Sequence, residues 1–255
     1  MPFRKIENAR LSGAVVNQIE QLILRGILRP GERLPSEREL SDRLGVSRPS
    51  LREAVAELSD RGLLTTKANS GIFVADVIGS AFSPALQTLF ATHDEAVFDY
   101  LDFRQDMEGL AAARAARLAS ETDLRVIAAI FARMEAAHSK RNPDEESKLD
   151  AEFHMAIIEA SHNVVMLHMM RAMFTLLQKG VFYNRSVMFK QRSTRESLLE
   201  QHRKINDALM ARDPAAARAA VEDHLSFVRT ALENQQRSER NEEIAQLRLE
   251  HEIKR

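Results

Sequence analysis

Apolar positions recur at helical spacing through residues 11–25, where Val15, Ile19, Leu22 and Ile23 share one face. The pattern breaks at Gly26, Pro30, Gly31 and Pro35. Ser36 followed by Glu39 has the spacing of a capping box and opens a short predicted helix, "ERELSDRL", that stops at Gly45. Ser47 caps a third helix, in which Pro49 is tolerated because a first-turn N–H has no intrahelical partner. That helix runs through Leu51, Val55 and Leu58 and ends at Gly62. The period then shortens: "LLTTKANSGIFV" reads as two β-rich runs about Asn69, Ser70 and Gly71, which is a hairpin signal. Three helices and a hairpin, with a tight turn at Gly45 between the last two helices, describe a winged helix-turn-helix.

Further along, the chain changes to long amphipathic stretches rich in alanine and leucine. Helices are predicted near 95–119, 122–140, 145–161, 163–182, 194–211 and 214–235. Ser193 with Glu196 repeats the capping-box spacing, and Asp213 before Pro214 supplies a cap and a first-turn proline. Helices without strands imply an all-α bundle of six to seven members, so the fold class is mainly α. The expected organisation is a winged helix-turn-helix over residues 1–76, a linker over 77–93, a helical effector and dimerisation domain over 94–236, and a charged tail over 237–255. That last stretch, "RSERNEEIAQLRLEHEIKR", is dense enough in charge to be expected as a frayed or disordered helix.

Composition narrows the function classes. A chain of 255 residues is long enough for two domains. No apolar run approaches bilayer length and the first residues lack an apolar signal core, so a bacterial cytoplasmic location with no membrane partner is expected. The absence of cysteine excludes disulfides, thiol nucleophiles and thiolate metal sites, leaving carboxylates and histidines to hold any ion. The net charge of −1 conceals an asymmetry: residues 1–75 hold 12 Lys/Arg against 9 Asp/Glu, and the remainder 24 against 28. A surplus of three cations does not by itself identify a polyanion-binding module, so the positions of the cations have to decide.

In a helix-turn-helix the second helix enters the major groove with its N-terminal residues against the base edges. Arg48 and Arg52 occupy that end, one turn apart, where the helix dipole disfavours cations unless an anion is nearby. Their guanidinium forks suit guanine O6 and N7. Ser47 and Ser50 are candidate phosphate donors, and Arg38 on the preceding helix is a candidate backbone grip. The bland alternative is that these arginines pair with Glu39, Glu53 and Glu57 on a solvated face.

"LDAEFHMAIIEA" puts Asp150 and His154 on one helix face. His202, a turn before Ile205, and His224, beside Val221, Leu225 and Val228, point to the bundle interior. One carboxylate and three imidazoles suit a borderline divalent ion: zinc first, with nickel or manganese as alternatives. An Asp/His pair at this spacing also occurs as ordinary core or surface histidine, and that reading stays open on spacing alone. No general base stands beside the set, which favours a structural or ligand-holding ion over hydrolysis. Tyr183, Asn184 and Arg185 near a helix end are further candidates to line the pocket, whereas His93, His138 and His251 read as surface histidines.

The stretch "PSERELSDRLGVSRPSLREA", and nearly the whole of residues 10–75, resembles the DNA-binding domain of the GntR family of bacterial transcription regulators. The helical part is similar to the FadR-type branch with its FCD effector domain. This resemblance implies that Arg38, Arg48 and Arg52 are the main DNA contacts, with Ser47, Ser50 and the wing residue Gly71 assisting. It implies that Asp150, His154, His202 and His224 are the metal set of that branch. It also implies that Arg104 is the effector-domain arginine suited to hold an effector carboxylate, against the alternative of an i, i+4 bridge with Glu108. Within the branch, "EASHNVVMLHMMRAM" is most like the repressors of the pyruvate dehydrogenase complex, which implies pyruvate as effector. The intact metal set is equally typical of lactate- and glycolate-responsive members. The expected function is therefore a homodimeric regulator, a repressor, that binds double-stranded operator DNA and answers to a small carboxylate. A metal-dependent enzyme on the helical domain and a nonspecific architectural DNA-binding protein are the alternatives from other classes.

Overall fold

The computed structural model describes residues 9–67, 70–76, 82–178, 188 and 192–253. It divides into two compact units, Met1–Ser83 and Pro84–Arg255.

Unit 1 holds α1 (Ala9–Leu24), α2 (Glu37–Leu44), α3 (Arg48–Asp60) and the antiparallel strands β1 (Leu64–Lys67) and β2 (Gly71–Val74). The apolar stripe of α1, with Val15, Val16, Ile19 and Ile23 buried, packs with Leu51, Ala54, Val55 and Leu58 and with Leu64, Ile72 and Val74 of the hairpin. The local stops are chemical. Ser36 Oγ accepts the Glu39 N–H at 3.3 Å and Ser47 Oγ accepts the Ser50 N–H at 3.3 Å. Gly45 ends α2 with φ 64°, a left-handed conformation that turns the chain straight into α3. Leu64 pairs with Val74 and Lys67 with Gly71. The chain at 32–34 joins the free edge of β2, with the Leu34 N–H on the Ile72 carbonyl and the Val74 N–H on that of Glu32, both at 2.9 Å. This is a winged helix-turn-helix, as the residue pattern predicts.

Among the described residues unit 2 holds helices and no strand: α4 (Pro84–Thr92), α5 (Asp94–Leu118), α6 (Glu121–Lys140), α7 (Pro143–Ala160), α8 (Val164–Gln178), α9 (Arg192–Met210) and α10 (Pro214–Ile253). Its main core joins Ala112, Ala115 and Ala116 of α5 to Ile127 and Phe131 of α6, Phe153 and Ile157 of α7, Ile205 and Leu209 of α9, and Val221 and Leu225 of α10. Small side chains on α5 let its neighbours come close. A Cβ at Gly109 would meet Glu222 Cγ of α10 at 3.2 Å, so this glycine sets the approach of the helix that carries His224. Asp213 Oδ1 accepts the N–H groups of Ala215 and Ala216 at 3.0 Å, the cap expected before Pro214.

Two segments depart from expectation. The span expected as a linker contains α4, whose "PALQTLFAT" has a proline tolerated in the first turn, although none of its residues is fully buried. The expected tail is the continuation of α10. Residues 237–253 are all exposed but consist largely of strong helix formers without Gly or Pro, so nothing stops the helix. No described helix is long and apolar enough to cross a membrane.

Candidate metal centre and nucleic-acid interface

Asp150, His154, His202 and His224, from α7, α9 and α10, converge in the interior of unit 2. One potential ligand atom from each lies within 4.8 Å of all the others, and all four side chains are buried. His202 Nε2 is 2.9 Å from Asp150 Oδ1 and 3.3 Å from His154 Nε2, and His154 Nε2 is 3.7 Å from Asp150 Oδ1. The four-residue spacing on α7 and the inward face of α9 and α10 place them as the sequence expects.

The outer ring nitrogens fix the tautomers. His202 Nδ1 donates to the Leu198 carbonyl at 2.7 Å and His224 Nδ1 to Gln201 Oε1 at 3.0 Å, while His154 Nδ1 lies 2.6 Å from Glu108 Oε2. A carbonyl or carboxylate oxygen can only accept, so each Nδ1 carries the proton and each Nε2 turns a lone pair inward. Two such lone pairs 3.3 Å apart, beside a carboxylate, repel one another unless a cation lies between them. The donor set therefore fits a divalent ion of the zinc, nickel or manganese kind, complete with the outer hydrogen bonds that metal-binding histidines use.

Glu108 was named in the sequence only as a rival partner for Arg104. It lies against both groups: Arg104 Nε donates to its Oε1 at 2.6 Å, and its Oε2 is 2.6 Å from His154 Nδ1. Burial would raise its pKa, but the charge and hydrogen bond of Arg104, with the His154 ring beside it, bring it down to about 2. Arg104 is itself only 1% exposed, with its guanidinium 5.1 Å from the Phe174 ring centroid. The i, i+4 bridge is thus present, and it ties Arg104 to a histidine of the cluster.

A second buried ion pair escaped the sequence. Arg195 Nη2 and Nε donate to Glu146 Oε1 and Oε2 at 2.6 and 3.0 Å, and Nη2 also reaches the His138 carbonyl at 2.8 Å. Glu146 lies one turn before Asp150 on α7, and Arg195 two turns before His202 on α9. With His138, Met134, Leu199 and His202 they line a small cavity. His138, expected at the surface, is therefore a cavity residue. Asn184, like Tyr183, Arg185 and the hairpin residue Asn69, lies outside the described residues.

In unit 1, Arg38, Ser47, Arg48 and Arg52 are exposed. Arg52 Nε donates to Glu37 Oε2 at 2.8 Å, tying α3 to α2. Of the acids considered as rivals, Glu39 pairs with Arg43 and Glu57 with Arg61. Arg38 and Arg48 have no ion pair among the described residues. Ser50 corrects the expectation of a phosphate donor: it is 3% exposed, and its hydroxyl lies 2.9 Å from that of Ser47, because position 50 falls on the inner face of α3 beside Leu51 and Ala54. Gly71 opens β2 with φ 108°, and a Cβ there would sit 3.1 Å from Arg33 Nε. Arg33, and Lys67 over the Phe73 ring at 4.9 Å, add two cations at the hairpin that no local motif announced.

The sequence pattern of the FCD domain matches residues 99–227, and that of the bacterial regulatory proteins of the gntR family matches residues 11–74. The chain is 39% identical over 227 residues to a regulatory protein assigned to the L-lactate dehydrogenase operon of Escherichia coli (strain K12), covering 88% of this chain and 86% of that one. It is 34% identical over 232 residues to the Glc operon transcriptional activator of the same organism, covering 89% and 91%. Among solved structures it is similar to a GntR protein of Streptococcus agalactiae, with 25% identity and a TM-score of 0.55 over 86% of this chain and 99% of that one.

Proposed function

The chain belongs to the gntR family of bacterial regulatory proteins, with an FCD domain following the DNA-binding domain, and we propose that it is a carboxylate-responsive repressor acting as a homodimer. It is a DNA-binding transcription regulator and not the metal-dependent enzyme weighed from the sequence, since both matched families and its relatives are regulators. Two copies reading a near-palindromic operator give protein and site the same two-fold symmetry.

In this reading α3 is the recognition helix. Arg48 and Arg52 face base edges, Ser47 and Arg38 hold phosphate, and the Gly71 hairpin with Arg33 and Lys67 meets the adjacent backbone. Arg52 leaves Glu37 in the complex, exchanging an exposed ion pair of small worth for a bidentate contact.

Asp150, His154, His202 and His224 hold a divalent ion, zinc first. When bound, the ion supplies a positive charge to which a carboxylate can attach. The observation that carries this is the convergence of Asp150 with three imidazoles whose Nδ1 atoms each face an outer oxygen, of Leu198, Glu108 or Gln201. Arg104 is the candidate second grip on the carboxylate, the role that the family resemblance implies. The effector class is a small carboxylate: pyruvate by the resemblance, or lactate, which the name of the 39%-identical relative favours, or glycolate. The effector acts only by binding two arrangements of the dimer with different affinity.

The test is fluorescence anisotropy on DNA from upstream of the protein's own operon and on scrambled DNA, at fixed salt, with and without pyruvate, L-lactate and glycolate. Operator binding that is tight and released by one of the acids is expected. Equal binding to both DNAs would sink the base-reading roles, and an operator affinity that none of the acids changes would sink the effector.

A further inference from the structure

Helices α7 and α9 carry ligands that must meet, yet they make few close approaches to each other along their backbones; both lie against α6 instead. Among the described residues, polar side chains cross between them at two levels. At one, His202 Nε2 stands 2.9 Å from Asp150 Oδ1. At the other, a turn earlier on α7 and two turns earlier on α9, Arg195 grips Glu146. The apolar core at Phe153, Ile157, Ile205 and Leu209 lies further along the same helices. Apolar contact is non-directional and fixes the register of two helices less sharply than a hydrogen-bonded fork does.

That fork joins three helix ends. Arg195 sits in the first turn of α9, Glu146 near the start of α7, and the His138 carbonyl near the end of α6. Its Nη2 and Nε donate to the two Glu146 oxygens at 2.6 and 3.0 Å, and Nη2 also donates to the His138 carbonyl at 2.8 Å. A helix terminus frays unless something ties it down. Here the tie is buried, with Arg195 8% and Glu146 5% exposed, so water does not compete for it. The same turn of α9 aims His202. The carbonyl that takes the His202 Nδ1 proton belongs to Leu198, in the turn that Arg195 anchors, and the bridge and the His202 ring border one cavity. We infer that Arg195 is a positioning residue of the metal centre: its fork on Glu146 and the His138 carbonyl holds the start of α9 at the register in which His202 and Asp150 can share one ion. This rests on the proposed ion. Lysine would keep the charge but not the planar fork that meets a carboxylate and a carbonyl together.

The test titrates full-length, metal-stripped protein with cobalt(II), whose visible absorption reports ligand geometry, and measures zinc affinity by competition with a chromogenic chelator at fixed neutral pH. Two variants separate positioning from stability. Arg195→Lys keeps a cation opposite Glu146 without the fork. Arg195→Met combined with Glu146→Leu removes the whole pair and strands no charge, an exchange that buried ion pairs often tolerate without loss of stability. Both are expected to bind zinc about ten-fold more weakly or worse, in the range seen when support for metal ligands is removed, and to change the cobalt spectrum. As a control, Arg133→Met breaks an exposed bridge from α6 to Glu152 of α7 and should change neither. A folded Arg195→Lys or double variant with the zinc affinity and cobalt spectrum of the wild type overturns the inference, whatever its stability. So does an equal loss in Arg133→Met. Failure of the underlying reading looks different: a wild type that takes up neither zinc nor cobalt overturns the ion itself and the inference with it.

Discussion

The candidate metal centre of unit 2 and the candidate recognition surface of unit 1 are both polar, yet the fold builds them by opposite means. In the centre every histidine is placed twice, inward by convergence and outward against an oxygen partner, on helices locked by an apolar core. At the surface the fold fixes backbones only. Caps at Ser36 and Ser47, the left-handed Gly45 and the buried Leu51 and Leu58 set where α3 lies, while Arg38 and Arg48 end in water. A buried polar group must find its partners during folding, because leaving it unmatched costs about 1–3 kcal/mol. An exposed guanidinium has no such obligation and takes its final geometry from the DNA. The candidate centre is therefore positioned by the fold, and in the proposed reading the surface is completed by DNA.

Removing one inward ligand should show the largest effect. His202→Ala is expected to abolish zinc binding and the response to carboxylate while leaving operator affinity without effector close to wild type. Full zinc content by atomic absorption would break the four-ligand centre. Next comes Arg195→Met, which strands the Glu146 carboxylate in the interior and should cost about 3–5 kcal/mol of stability in a denaturant melt. A loss under 1 kcal/mol would mean that the pair is wetter than its burial indicates. Arg48→Ala should cost about 1–3 kcal/mol of operator binding and relax preference at one base, with no change in melting temperature. An equal loss on scrambled DNA would move Arg48 from bases to phosphates.

The smallest effect tests whether surface polar groups fixed by the fold behave like buried ones. Ser120 and Asp123 cap α6 reciprocally, and Asp123 also lies 3.0 Å from His162 Nε2. Partial burial would raise the Asp123 pKa, but the hydrogen bonds from Ser120 and the nearby imidazole hold it below the ordinary value. Asp123→Ala should cost about 1 kcal/mol at pH 7. Because the folded-state pKa is depressed, this contribution is present above the unfolded value and fades as pH falls through the lowered one. The gap between wild type and variant should therefore close in acid. A gap unchanged at pH 2 would assign the effect to helix propensity instead of the carboxylate.

Much of this was legible because it is local. Capping serines, Gly45 and the apolar stripes announce the helix-turn-helix within a few residues, and Asp150 with His154 announces one face of α7. His202 and His224 could be read from their apolar neighbours, since a polar residue inside a buried stripe needs a partner. Glu108, Gln201 and the Glu146–Arg195 pair were not legible in the same way. Each partner sits on a different helix or carries no local mark, and an i, i+4 Arg–Glu spacing looks the same on a surface as in a core. Ser50 shows the converse limit. It looks like a phosphate donor by position, but the 3.6-residue period turns it inward with Leu51 and Ala54. The charge of residues 237–253 suggested disorder, whereas their helix propensity prevailed.

That last helix has a mechanical consequence. Leu232 is its final buried side chain, and 21 residues follow it to Ile253. At about 1.5 Å per residue this is a rod of about 30 Å fixed at one end. A tilt of about 5° at the root would carry its tip through nearly 3 Å, so a spin label or fluorophore near Ile253 would act as the pointer of a gauge. Motions of the bundle too small to see at the ligand centre itself would be read, enlarged, at the far end of α10.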